Sequence, residues 1–110
     1  MSTPAPPQSG EQPPLQVAQL LQLLRAHQSD WTRRYQVQRI GLFGSIARGE
    51  ASPGSDVDVW VELDPLTPFA TVHLKAELEA LLQRPVDLVR LRQRMNPALR
   101  QAILSEGISA

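Results

Sequence analysis

Residues 56–63, DVDVWVEL, alternate side-chain character with a period of two, the repeat of a β-strand. Val57, Val59, Val61 and Leu63 make one apolar face, while Asp56, Asp58, Trp60 and Glu62 share the other. Such a strand leaves backbone groups open on both edges and an apolar face to cover, so the chain must supply further strands and helices. Two other stretches fit beside it. Tyr35 to Phe43 (YQVQRIGLF) alternates at Tyr35, Val37 and Arg39 and then turns continuously apolar, and Val86 to Val89 (VDLV) holds Asp87 between apolar neighbours.

Helical periodicity fills the intervals. Val17, Leu20, Leu21 and Leu24 predict a first helix ending near Ser29 and Asp30. Ser45 is expected to cap a short helix running through about Glu50, before the turn signal Ser52-Pro53-Gly54-Ser55. Pro65 and Pro68 bracket a loop, after which Leu74, Leu78, Leu81 and Leu82 predict a third helix that stops before Pro85. Asn96-Pro97 is a cap and first position for a last helix, with Leu99, Ala102 and Ile103 inward and Gly107 as its stop. The predicted order is αβαβαβα: an α/β (α+β) fold in which a small mixed sheet is flanked by helices. No internal repeat is seen.

Composition bounds what this fold can carry. At 110 residues the chain is one domain, and Met1 to Pro14, with five of the ten prolines and almost no bulky apolar residue, is expected to be a disordered tail before a domain spanning 15–110. Eleven basic and eleven acidic residues cancel, so no global field draws in nucleic acid or an anionic membrane, and direct nucleic-acid binding is not expected. The absence of cysteine removes disulfide and thiolate chemistry. No apolar run approaches a membrane span and no signal peptide is apparent, which points to a soluble, cytoplasmic protein.

The chemistry is concentrated in GSIARGEASPGSDVD, residues 44–58. Asp56 and Asp58 point to the same face of a strand, roughly 6.5–7 Å apart at their Cα atoms, so both carboxylates can converge on hard cations. No Lys lies between them, and a divalent metal would relieve their repulsion. Mg²⁺ takes a few carboxylates together with substrate phosphate oxygens, and two such ions about 3.5–4 Å apart clamp the attacking and leaving oxygens of phosphoryl chemistry. Asp87 on a neighbouring strand can be a third ligand and can accept the proton of an attacking hydroxyl. Gly44 lets the backbone approach a phosphate, the helix start after it offers free N–H groups, and the Ser45 hydroxyl adds a donor. No Gly-Lys-Ser/Thr follows and no G-x-G-x-x-G is present, so neither a P-loop nor a dinucleotide site is indicated.

The Gly-Ser, ten residues, Asp-x-Asp pattern resembles the signature of the minimal nucleotidyltransferases, in the DNA polymerase beta-like nucleotidyltransferase superfamily. Ala47 to Gly49 and Ser55 match its fuller form, Asp87 in PVDLV stands where the family places a third carboxylate, and NPALRQAILSEG resembles its closing helix. The resemblance covers roughly Leu15 to Gly107. It implies a nucleoside triphosphate substrate such as ATP, Mg²⁺ and release of pyrophosphate. Members are commonly antitoxins that pair with a HEPN-type ribonuclease toxin and transfer AMP to its tyrosine. Carried over residue by residue, Gly44 and Ser45 bind phosphate, Asp56 and Asp58 hold both metals, and Asp87 holds the metal nearer the nucleophile. Trp60, where the family usually has an aliphatic residue, and the Pro-rich tail depart from the pattern.

Outside the motif the expectations are plainer. Arg48 either neutralises triphosphate charge or pairs with Glu50. Trp60 either stacks on a base or packs under a helix, the reading favoured for so buried a strand. His27 and His73 lie in helices without a paired ligand and are not read as metal sites. Arg84, Arg90, Arg92, Arg94 and Arg100 form by default a solvated face, with a toxin- or RNA-facing patch as the other reading. The alternatives to an adenylylating antitoxin are a binding-only antitoxin and a small-molecule nucleotidyltransferase. Because residues 1–14 carry neither core nor motif residues, their deletion should leave the thermal midpoint and transfer activity unchanged. Comparing truncated and full-length chains by thermal denaturation and nucleotide transfer checks this.

Overall fold

A computed structural model of the chain describes residues 17–51, 55–63 and 69–110; the expected tail, the Ser52-Pro53-Gly54 turn and the Pro65–Pro68 loop lie outside them. The elements are α1 (Val17–Tyr35), β1 (Val37–Leu42), α2 (Gly44–Ala47), β2 (Val57–Leu63), α3 (Ala70–Leu82), β3 (Val86–Arg90), α4 (Pro97–Glu106) and β4 (Ile108–Ser109). They build a four-stranded sheet in the order β3-β2-β1-β4. β1 runs antiparallel to both β2 and β4, and β2 runs parallel to β3, so the sheet is mixed as expected. Two-residue β4 is an addition to the predicted order.

The alternation of β2 divides the protein into two cores. Val57, Val59, Val61 and Leu63 are buried against Leu20, Leu21, Leu24 and Trp31 of α1 and Leu74, Leu78 and Leu82 of α3. On the opposite face Trp60 joins Phe43, Leu91 and Ile103, with Val89, Met95 and Leu99 packed around them. That second core seats α4 on the sheet face carrying the carboxylates. Trp60 therefore packs under a helix, the reading favoured from sequence. In α4, Asn96 Oδ1 accepts from the N–H groups of Ala98 and Leu99, and Pro97 follows the cap as predicted. Gly107 ends α4 in an extended conformation, which feeds the chain directly into β4.

Two boundaries differ from the sequence expectation. α1 continues past Ser29 and Asp30 to Tyr35, because Trp31 falls seven residues after Leu24 and is buried in the same core. Arg34 bonds Asp30 one turn back, and both Arg34 and Tyr35 bond Glu77 on α3, which anchors this last turn. Gln36, in the left-handed region at φ 63°, then turns the chain into β1. Within β1 the pairing with β2 shifts between Val37 and Arg39. This bulge brings Val37, Ile40 and Leu42 into one core although they do not share a strict period of two, so the simple alternation read through Arg39 does not hold.

Gly41 marks the tightest approach between layers. It lies opposite Trp60 in the β1–β2 ladder, and a Cβ there would sit 2.7 Å from indole atoms and collide with the Ile108 carbonyl oxygen. The missing side chain lets the Trp60 ring lie across β1 while β4 pairs alongside. Gly41→Ala should therefore destabilise the fold by about 1–3 kcal/mol, the usual cost of overpacking a filled core. Chemical denaturation should register it as a lower midpoint with an unchanged slope.

Candidate functional site

The candidate site forms where β1 ends beside the start of β2. Phe43 N–H donates to the Asp58 carbonyl oxygen at 3.1 Å, continuing the ladder one step past β1. Gly44, at φ +68°, then turns the chain sharply; a Cβ at this position would both be strained and collide with Asp58 Oδ2. The Gly44 backbone is thus held directly against the Asp58 carboxylate. α2 follows at once, and the N–H groups of its first turn have no acceptors within the helix.

Here the expectation for Ser45 needs correction. The residue in the N-cap position is Phe43, with no side-chain cap bond, and Ser45 lies inside the first turn. The positive φ of Gly44 starts the helix two residues earlier than a serine cap would. Among the described residues its hydroxyl is therefore not used in capping. α2 also stops at Ala47 rather than near Glu50, since Gly49 takes φ 73°.

β3 brings in the third carboxylate. In the parallel β2–β3 ladder Asp58 pairs with Asp87, so the two acids stand side by side on the α4 face of the sheet. Asp56 is exposed, immediately before β2. Partial burial raises the Asp58 carboxyl above the ordinary carboxylate range, and the charges of Asp87 and then Asp56 add to the effect. Arg48 offsets it only in part. Its guanidinium is engaged elsewhere, donating to Glu50 and to Glu106 at 3.0 Å each. The pairing with Glu50 read from sequence is present, and the link to Glu106, joining the end of α2 to α4, was not legible because the two residues are far apart in the chain.

Among the described residues no group of three or more Asp, Glu or His side chains is gathered as a ready-made metal cage. The arrangement still suits Mg²⁺, which dehydrates reluctantly and uses one or two carboxylates plus substrate phosphates in place of an all-protein shell. The donors are all oxygens, and the mutual repulsion of Asp58, Asp87 and Asp56 is relieved by positive charge. His27 stacks on Trp31, with ring centroids 5.4 Å apart. Sequence reading placed Asp87 on a neighbouring strand; the register that sets it directly beside Asp58 is what no single-strand pattern announces.

Comparison with known proteins agrees with this geometry. The nucleotidyltransferase domain pattern matches residues 22–110. Protein adenylyltransferase MntA of Thermococcus cleftensis is 34% identical over 95 residues, covering 86% of this chain and 95% of that protein. A chain from the crystal structure of a toxin–antitoxin with AMP-PNP superposes with a TM-score of 0.63 at 30% identity, over 86% of this chain and 72% of that one. A chain from the complex of a tri-AMPylated Shewanella oneidensis HEPN toxin with MNT antitoxin gives a TM-score of 0.56 at 28% identity, over 86% and 67% of the two chains.

The raised Asp58 carboxyl has a stability consequence. The folded state holds that proton more tightly than the unfolded chain does, so ionisation of Asp58 disfavours folding. The penalty is absent below the unfolded value of 3.8 and complete once the pH exceeds the folded one. Without divalent cation or nucleotide, Asp58→Asn should therefore raise the thermal midpoint at pH 7, and the gain should shrink as the pH is lowered toward 3.8. Thermal scans of both proteins across that range check the sign.

Proposed function

Because this chain belongs to the nucleotidyltransferase domain family, whose pattern spans most of its length, we propose that it transfers AMP from ATP to a tyrosine hydroxyl of a HEPN-type toxin and so acts as its antitoxin. The observation that carries this reading is the in-register pair Asp58–Asp87 set against the Gly44 turn. A phosphate-binding backbone and a pair of carboxylates are adjacent there, as nucleotide transfer requires. The relative named a protein adenylyltransferase and the complex holding an AMPylated toxin support AMP as the group moved and a protein as acceptor.

In this proposal the N–H groups at the start of α2 and the Ser45 hydroxyl hold the triphosphate, while Gly44 allows the close approach. Asp56, Asp58 and Asp87 would hold Mg²⁺, which when bound supplies charge neutralisation to the phosphates. The acceptor oxygen attacks the α-phosphorus, the bond to the bridging oxygen breaks, and pyrophosphate leaves. Asp87 takes the hydroxyl proton. Arg48, tied to Glu50 and Glu106, fixes the end of α2 and tempers the Asp58 field. We further propose that transfer repeats on the same acceptor and occurs in the cytoplasm. No helix among the described residues is long and apolar enough to cross a membrane.

Incubating the HEPN-type partner with this protein and Mg-ATP should add mass to the partner in steps of one AMP, and the partner should stay inactive after the antitoxin is removed. Asp56→Asn and Asp58→Asn should abolish the gain, on the order of a thousandfold in rate, and Asp87→Asn should reduce it strongly. Intact-mass measurement decides the matter. Variants that still neutralise the toxin without added mass would replace enzymatic inactivation with simple sequestration.

A further inference from the structure

β3 is an edge strand, and the carboxylate site does not occupy all of it. One residue beyond Asp87 a cavity of about 410 Å³ opens along the same strand, lined by Leu88, Arg90, Arg92, Met95 and Leu99, with Thr71 from α3 on its far side. Its size falls within the range of pockets that take small organic ligands. Its lining is divided in character: Leu88, Met95 and Leu99 are apolar, while Arg90, Arg92 and Thr71 carry hydrogen-bond donor groups.

The two arginines are not consumed by the fold. Among the described residues neither is in an ion pair with a carboxylate, and Arg90 Nε is buried without a hydrogen-bond partner. Among the described residues the Arg90 side chain makes one hydrogen bond, a long one of 3.5 Å to the Leu63 carbonyl oxygen. Cationic donors above an apolar floor suit a phosphodiester joined to a flat base.

We propose that this cavity is an acceptor-side subsite for AMP already attached to the partner. The inference rests on the proposed transfer reading. After the first transfer the acceptor ends in a ribose hydroxyl, and for a second transfer that hydroxyl must reach Asp87 while the attached AMP lies along the acceptor's path. The cavity lies next along the strand, with Val89, two residues after Asp87 and on the same strand face, in its wall. Arg90 and Arg92 hold the phosphodiester, and Val89, Met95 and Leu99, which pack together on the α4 face of the sheet, receive the adenine. The ribose oxygen then attacks the α-phosphorus of a second ATP, its proton passes to Asp87, and pyrophosphate departs. The pocket thus favours short runs of AMP over a single unit.

The test is the distribution of products on the HEPN-type partner, followed by intact mass over time. Wild type is expected to build species with two and three AMP units. Arg92→Ala, at an exposed position, should form the one-AMP species at the wild-type rate but slow the second addition about tenfold or more, the effect of losing a charged hydrogen bond to phosphate. Arg92→Lys should restore part of it. In parallel, O-(5′-adenylyl)-N-acetyltyrosinamide should shift the Met95 methyl resonance of wild type and not that of Arg92→Ala. If Arg92→Ala slows first and later additions equally, the cavity serves incoming ATP or the fold and the subsite is overturned. An unchanged product distribution overturns it as well. So does a wild type that stops at one AMP, which leaves the transfer reading intact, whereas a wild type adding no mass overturns that reading and the subsite with it.

Discussion

The site depends on the antiparallel ladder between β1 and β2. It brings the end of one strand level with the start of the other, so that Phe43 bonds Asp58 through the backbone and Gly44 turns against the Asp58 carboxylate. Neither the Gly44 turn nor the acid is positioned by its own loop. Both inherit their places from hydrogen bonds that also close the larger core, where Val57, Val59 and Val61 lie against α1 and α3. Stability and the candidate site therefore draw on the same strand: its odd residues and Trp60 are buried in the two cores, while Asp58 faces the site.

That division explains the behaviour of Asp58. Carboxylates left in water would repel one another weakly, but this one is partly buried by the strand that carries it and stands beside Asp87 in register. The fold thus holds an arrangement that is unfavourable when empty of positive charge. The compensation comes from elsewhere: Trp60, on the same face two residues on, is buried with Phe43 and Ile103 and secures α4 beside the acids. Arg48 reinforces this by joining Glu50 and Glu106.

Much of this was legible in the chain, and what was not has a physical reason. The period of two in β2 identified its two faces, and the Gly-Ser and Asp-x-Asp pair marked two segments that the fold brings together, because local pattern suffices for both. The end of α1 was misjudged since Ser29 and Asp30 are polar, and only the burial of Trp31 and the bonds to Glu77 carry the helix onward. The bulge in β1 and the pairing of Asp58 with Asp87 depend on strand register, which no single segment encodes. β4 is too short to show a period at all. The arginines of the last third read alike in sequence, yet Arg90 and Arg92 line a cavity while Arg94 is exposed outside it.

The ladder also changes what the spacing between Ser45 and Asp56 means. Since paired strands bring Gly44 to Asp58, the ten residues between that serine and the first aspartate act as a bridge and not as a ruler. Closing a longer bridge costs only about 0.6 kcal/mol for each doubling of its length. Lineages could therefore lengthen this connection, and hang new recognition surfaces from it, while the distance across the site stayed the same. The distance across the site is thus set by the ladder, and the interval has only to span it.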